Sequence, residues 1–346
     1  MPFASALSEH PDAAAATGEV AGALLEALGP SPDLVLVHAT GAHRDAFADV
    51  VDALGRVLTP HRLLGATAVA VVGGAREVEE QPALSLWGAR LSTAGPADLR
   101  PLRLDAIRTG DGLALLGFDP EALRSAGAVV LLCDPGFPTD EVLAALRREA
   151  PALPVVGGVA SAGFGPGANR LALDGRVFDD GAVGVVVPPG LVDVELVVSQ
   201  GCRPIGEPRT VTRAEANVVL EIAGTRALDH VAAVLETASP RDRGLAERGL
   251  HLGRVVDEHR IELGRGDFLV RNLVGADPDR GSIVVNDLVE VGATVQLQVR
   301  DAEAADEDLR ELLAGREADA ALVFTCNGRG RACSVHPTTT PPWSPS

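Results

Sequence analysis

The chain has 346 residues, 46% of them hydrophobic, enough for two domains with cores of their own. Its 48 acidic and 30 basic side chains leave a formal charge of −18 with no cationic run to offset it, which argues against a nucleic-acid partner. It contains no lysine and no tyrosine, which excludes an internal Schiff base, a pyridoxal anchor and a Walker-type phosphate loop, and arginine carries all the fixed positive side-chain charge.

No charged leader with a signal-like apolar core opens the sequence. Residues Asp12 to Gly29 are Ala-rich but hold Glu19 and Glu26, an amphipathic helix. No window approaches the roughly 20 uninterrupted apolar residues of a membrane span. Cys133, Cys202, Cys326 and Cys333 show neither metal-type pairing nor a disulfide framework. The expectation is a cytoplasmic chain without a membrane partner.

A buried-type strand, Leu34 to His38, ends in Ala39-Thr40-Gly41. The spacing of Ala46, Val50, Ala53 and Leu54 predicts a helix over 45–58. His61 to Leu64 runs into Gly65-Ala-Thr67, then Ala68 to Val72, Gly73-Gly74 and the strand Ala83 to Trp87. Residues 90–126 read as a connector. The same order of parts then returns: the apolar strand Ala128 to Cys133, and a helix from Thr139, a candidate N-cap, to Arg148. A short strand Pro154 to Val156 follows, then Gly157-Gly158-Val-Ala-Ser161 as a glycine turn. A hairpin about Asp174-Gly175 and the strand Ala182 to Val187 complete one folding unit. The two stretches look like a duplication.

Past Gly190 the pattern changes. Val192 to Ser199 reads as a half-buried strand and Gln200 to Gly206 as a rigid loop. Short strands are expected at 210–215, 218–222, 254–256, 268–274, 282–285 and 294–299, with helices at 227–237 and 301–313. Ala320 to Cys326 reads as another buried strand, the start of a third unit. The Pro/Thr/Ser-rich text from Cys333 cannot continue it, because proline lacks the helix donor and clashes. The fold class expected is α/β, with repeated strand-helix-strand-hairpin units in two domains and the last unit cut short.

Three segments together, Val156-Gly-Gly-Val-Ala-Ser161, Ser199-Gln-Gly-Cys-Arg-Pro-Ile-Gly206 and Leu322-Val-Phe-Thr-Cys-Asn-Gly-Arg-Gly-Arg331, resemble the FIST family of sensory proteins. The resemblance implies a FIST N-type domain over about 25–190 and a C-type domain over 195–332. Residues 333–346 would be a disordered, frameshifted tail. It also implies a bacterial signal-transduction input module that binds small ligands such as amino acids; with no kinase or cyclase region fused to it, its output is expected to pass through a separate signalling partner. Some members resemble haem-containing nitric-oxide sensors.

The candidate ligand-binding residues are Gly157, Gly158, Ala160, Ser161, Gly201, Cys202, Arg203, Cys326, Asn327 and Arg329. Gly157, Gly158, Ser161 and Gly163 could form a nest of backbone N–H groups for an anion; the competing reading is a tight turn. Arg203, Arg329 and Arg331, beside glycines, could clamp a carboxylate; the competing reading is ion pairing to the abundant acids. Cys202 or Cys326 as an enzyme's nucleophile would need a depressed pKa and a positioned histidine, and burial as small core residues is the simpler account. Among His38, His43 and His61, His38 is the best haem ligand because it ends an apolar strand. Gly163-Phe-Gly165-Pro-Gly-Ala168 fails as a dinucleotide fingerprint, since a strand follows it. The favoured reading is a non-catalytic sensing module with no resident cofactor; a haem gas sensor and a cysteine enzyme are the alternatives.

Overall fold

A computed structural model describes residues 3–92, 95–110, 112–260, 263–264 and 266–326. It divides into two compact units, one of residues 3–196 with 317–326, the other of residues 197–316.

The first unit holds the duplication. One copy runs β1 (Phe3–Ser8), α1 (Ala13–Leu28), β2 (Leu34–Thr40), α2 (Phe47–Leu58), β3 (Arg62–Ala68), the hairpin β4 (Ala70–Gly73) and β5 (Arg76–Glu79), and β6 (Leu84–Ala89). The other runs β7 (Arg100–Thr109), β8 (Gly112–Leu116), α3 (Pro120–Arg124), β9 (Ala128–Cys133), α4 (Thr139–Glu149), β10 (Val155–Val159), the hairpin β11 (Leu171–Leu173) and β12 (Arg176–Phe178), and β13 (Ala182–Val187). In each, the central strand (β2 or β9) pairs parallel with β3 or β10 on one side. On the other side it pairs antiparallel with β6 or β13, which in turn takes β1 or β7. The repeat therefore begins earlier than the sequence suggests, and the expected connector supplies β7, β8 and α3.

Two sheets result, ordered β1-β6-β2-β3-β11-β12 and β10-β9-β13-β7-β8. They pack face to face through Leu34, Leu36, Leu64 and Leu171 on one and Val130, Leu132, Val183 and Val185 on the other. Helices α1 and α2 cover the outer face of the first sheet, α3 and α4 that of the second. The unit is a helix-sheet-sheet-helix sandwich, with its central strands buried on both faces, as long apolar runs such as Ala128–Cys133 require. Residues 128–188 do not close as one unit, because β11–β12 crosses over and extends the first sheet at β3. Asp174 (φ 46°) and Gly175 (φ 81°) make the turn, and the Asp174 carboxylate accepts the Leu63 N–H at 2.9 Å, fixing the hairpin to β3. Thr139 is not the cap of α4; Pro138 holds that position and Thr139 lies inside the first turn with Asp140 and Glu141.

The second unit departs from the repeat. It consists of β14 (Cys202–Glu215), β15 (Val218–Ile222), β16 (Thr225–Arg226), α5 (Ala227–Thr237), α6 (Pro240–Arg248), β17 (Leu250–Val255), β18 (Phe268–Asp277), β19 (Ser282–Val285), β20 (Thr294–Arg300) and α7 (Ala302–Leu313). The order β14-β20-β17-β18-β19-β15, closed by β14 against β15, is a six-stranded antiparallel barrel with β16 beside β15. Closure removes the edges an open sheet would expose. The fold class is thus mixed α/β as expected, with a barrel in place of repeated units in the second domain. The expected loop 200–206 largely joins β14, and residues 192–199 form no strand. The expected strand Ala320–Cys326 pairs with no strand and is exposed except at Ala320 and Leu322. No described helix is long and apolar enough to cross a membrane.

Candidate functional site

The sequence-derived candidates fall into three groups. Gly157, Gly158, Ala160, Ser161 and Cys326 belong to the first unit and Gly201, Cys202 and Arg203 to the second. Asn327, Arg329, Arg331, Cys333 and the expected tail lie outside the described residues.

Gly157 and Gly158 do not form a turn; both lie in β10, so no nest is built from them. Gly157 has φ 149°, and a Cβ there would sit 1.7 Å from the Leu131 carbonyl oxygen on β9. Its counterpart on β3 is Gly65, where a Cβ would fall 2.5 Å from the Val37 carbonyl oxygen of β2. Each glycine faces the same register position of its central strand, and each allows a close approach of two backbones. The Ala160 N–H donates to the Cys133 carbonyl at 2.8 Å. Ser161 joins the two repeats: its N–H donates to the Thr67 carbonyl at 3.1 Å, and its hydroxyl accepts from the Val69 N–H at 3.2 Å. The loop that follows is closed by the buried Asn169, which accepts the Gly163 N–H and donates to the Gly163 carbonyl, both at 3.1 Å, before β11 begins.

The carboxyl ends of β2, β3, β9 and β10 are where α/β sheets ordinarily receive ligands. His38 lies there, on the face of β2 that carries Leu34 and Leu36 between the sheets. Burial drives its pKa down to about 4, so the ring is neutral at physiological pH. No hydrogen bond engages that ring among the described residues. His43 is buried with Nε2 unpartnered, and burial lowers its pKa against the opposing pull of the His10 backbone and Asp12. His61 is half-buried.

In the second unit, Gly201 (φ 63°) turns the chain into β14, where Cys202 stands half-buried opposite Arg300. Arg203 does not point at open space. It donates to Asp301 at 3.0 Å and to Asp242, while Arg241 reaches the two Asp301 oxygens at 3.0 and 3.1 Å and Glu303 at 2.6 Å. Burial would lower the Arg203 pKa, but the hydrogen bonds to Asp242 and Asp301 outweigh it and the net direction is upward. The network ties the first turns of α6 and α7 to β14, so ion pairing describes Arg203 better than a carboxylate clamp. Sequence reasoning missed Arg241, Asp242 and Asp301, which sit far from Arg203 in the chain. The only local signal was Ser239-Pro240 as a helix start, with the Ser239 hydroxyl accepting from the Asp242 N–H at 3.1 Å.

Of the three cysteines described, Cys133 is buried, with burial raising its pKa, and Cys326 is exposed. Among the described residues, no three His, Cys, Asp or Glu side chains gather as a metal site.

Fold alone does not assign a role, and comparison with known sequences supplies the family. The FIST N domain matches residues 33–225 and the FIST C domain residues 227–340. The chain belongs to the FIST family, whose domains are signal-transduction sensory domains. The C-domain match continues past Ala332, so it does not support a domain cut there. An uncharacterized protein of Mycobacterium bovis is 42% identical over 330 residues, covering 93% of this chain and 83% of the relative. An uncharacterized protein of Mycobacterium tuberculosis is 41% identical over 334 residues, covering 94% and 85%.

Proposed function

We propose that the chain is a non-catalytic sensing module that holds a small carboxylate, an amino acid or a relative of one, at the carboxyl ends of the parallel strands in the first unit. His38 carries this reading. Val37 and Leu131 each face the glycine of their own repeat, so His38 is the counterpart of Leu132, which is 3% exposed in the core between the sheets. A leucine satisfies that position in one copy. In the other it holds a half-buried imidazole with no protein partner, whose ring donor and acceptor are left for solvent or a ligand. A ligand oxygen would accept from the neutral ring. The Gly157–Ser161 strand end would form the rim, and Ser161 has donor capacity left after accepting from Val69.

Haem fits this position poorly. Leu36, Ala66 and Ser85 flank His38 and are 1–5% exposed, a packed layer without a slot for a porphyrin. The test is a thermal-shift screen of the full chain with amino acids, their deaminated acids and their amides. A ligand at 100 times its Kd stabilises by about 2.7 kcal/mol, a shift of several degrees. The expected result is a shift with one carboxylate series that His38→Leu abolishes. If no compound shifts the wild type, or if the variant responds equally, the reading is wrong.

A further inference from the structure

We propose that the open edge of β10 is a docking site for a β-strand of another protein. The strand it fits is extended and uncharged, pairs antiparallel, and carries two large apolar side chains two residues apart. The duplication supplies the template. On β3, the strand equivalent to β10, the edge is occupied by β11, with Leu171 opposite Ala66, Ala172 opposite Gly65 and Leu173 opposite Leu64. Leu171 and Leu173 fill the core between the sheets, and β3 is buried from Leu63 to Thr67. By the Gly65–Gly157 equivalence, the matching positions on β10 are Gly158, Gly157 and Val156.

Among the described residues no strand pairs there. β10 ends its sheet, is half-exposed from Val155 to Gly157, and leaves Val159 49% exposed. Its bonds to β9 use alternate residues, since Ala160 donates to Cys133 and Pro154 accepts from Val129. The N–H and C=O groups of Val155, Gly157 and Val159 therefore face outward, as those of Leu63 and Thr67 face β11 and its flanks. Val155 to Val159 carries no charge, the usual protection of an edge.

A stand-in shows what the edge accepts. Leu322 packs against the core between the sheets, and the Phe324 ring lies 3.7 Å from where a Gly158 Cβ would be. These two residues have the spacing of Leu171 and Leu173. Yet 321–325 forms no strand, and Val323 and Phe324 remain 48% and 37% exposed. The side-chain sites are touched while the backbone ladder is unused, so a strand that makes both sets of contacts displaces this segment. The proposal does not depend on the ligand reading.

The probe is a fluorescent uncharged peptide built on Leu171-Ala172-Leu173 and flanked on both sides by threonines, titrated against the full chain by anisotropy. The double variant Leu322→Asp with Phe324→Asp clears the edge and is expected to bind it at least ten-fold more tightly than the wild type. Gly158→Asp, which puts a charge where the first apolar side chain lands, is expected to remove binding. Because the double variant could lose stability, hydrogen exchange on the wild type with excess peptide gives a second reading. The amides of Val155, Gly157 and Val159 should slow ten-fold or more. The proposal is overturned if a peptide with aspartate at both leucines binds equally, if no saturable binding occurs, or if those amides stay unprotected. Their protection in concentrated chain without peptide would assign the edge to a second copy and equally overturn it.

Discussion

Acid should weaken the first unit through His38. The ring's pKa is about 4 in the folded chain against an ordinary value of 6.5, because burial disfavours the imidazolium and no acid compensates. The unfolded chain then binds a proton between those values that the folded chain refuses, so stability falls as pH drops through 6.5 and levels off below 4. The full span is worth about 3 kcal/mol, and the part lost between pH 7.5 and 5 is about 2 kcal/mol. Burial also lowers the pKa values of His43, His230 and His251, so the wild type's total acid sensitivity is larger than this share. The informative quantity is a difference: urea unfolding of wild type and His38→Leu at pH 7.5 and 5.0, followed by a probe in the first unit. The variant should lose about 2 kcal/mol less than the wild type over that interval. Equal losses, or an NMR titration placing the His38 ring near 6.5, would refute the desolvated, unpartnered imidazole.

Two further substitutions test the architecture. Gly157→Ala should destabilise by about 3 kcal/mol or more, since its Cβ meets backbone that cannot yield and the strand has φ 149°. Gly158→Ala, whose Cβ meets only Phe324 at 3.7 Å, should stay within about 0.5 kcal/mol by the same urea unfolding. Asp33 is buried and its carboxylate accepts the N–H groups of Leu91, Ser92 and Ala97 at 2.6, 3.2 and 2.8 Å, holding the chain between the repeats. Asp33→Ala leaves three donors unpaired and should cost about 3 kcal/mol, with Asp33→Asn recovering part of it; a loss under about 0.5 kcal/mol would count against this role.

Where the sequence was legible, one local signal sufficed. Ala128–Cys133 and Ala182–Val187 are unbroken apolar runs that only a strand buried on both faces accommodates, and Asp174-Gly175 needs nothing beyond its two positive φ angles. β7 was legible in principle. Leu102, Leu104 and Ala106 alternate with Arg103, Asp105 and Ile107, but the charges at 103 and 105 gave the stretch the look of a linker. The barrel was not legible, because closure of β14 on β15 and β20 is set by pairings across the whole domain and by the bulge at Gly206 (φ 68°). The Arg203 network was hidden for the same reason: its partners lie 39 and 98 residues away. Gly157-Gly158 misled because glycine serves a turn and a close strand approach equally well, and composition does not separate the two.

Duplication makes the differences between copies informative. Both repeats keep the central strand, the parallel neighbour and the glycine opposite Val37 or Leu131, the parts without which either sheet fails. They differ at His38 against Leu132 and at a covered β3 against a β10 edge that no strand pairs among the described residues. Neither difference improves folding. A half-buried imidazole without a partner packs less well than the leucine of the other copy, and an uncharged edge with no paired strand among the described residues is a liability that a covering strand would remove. Features that cost stability in one copy, beside a copy that shows the stable alternative, point to a use. The first departure lies inside the sandwich and suits a ligand; the second lies on its rim and suits a partner. A sensor requires one surface of each kind, joined through one sheet pair. In this unit Ser161 makes that join, bonding the end of β10 to Thr67 and Val69 in the repeat that carries His38.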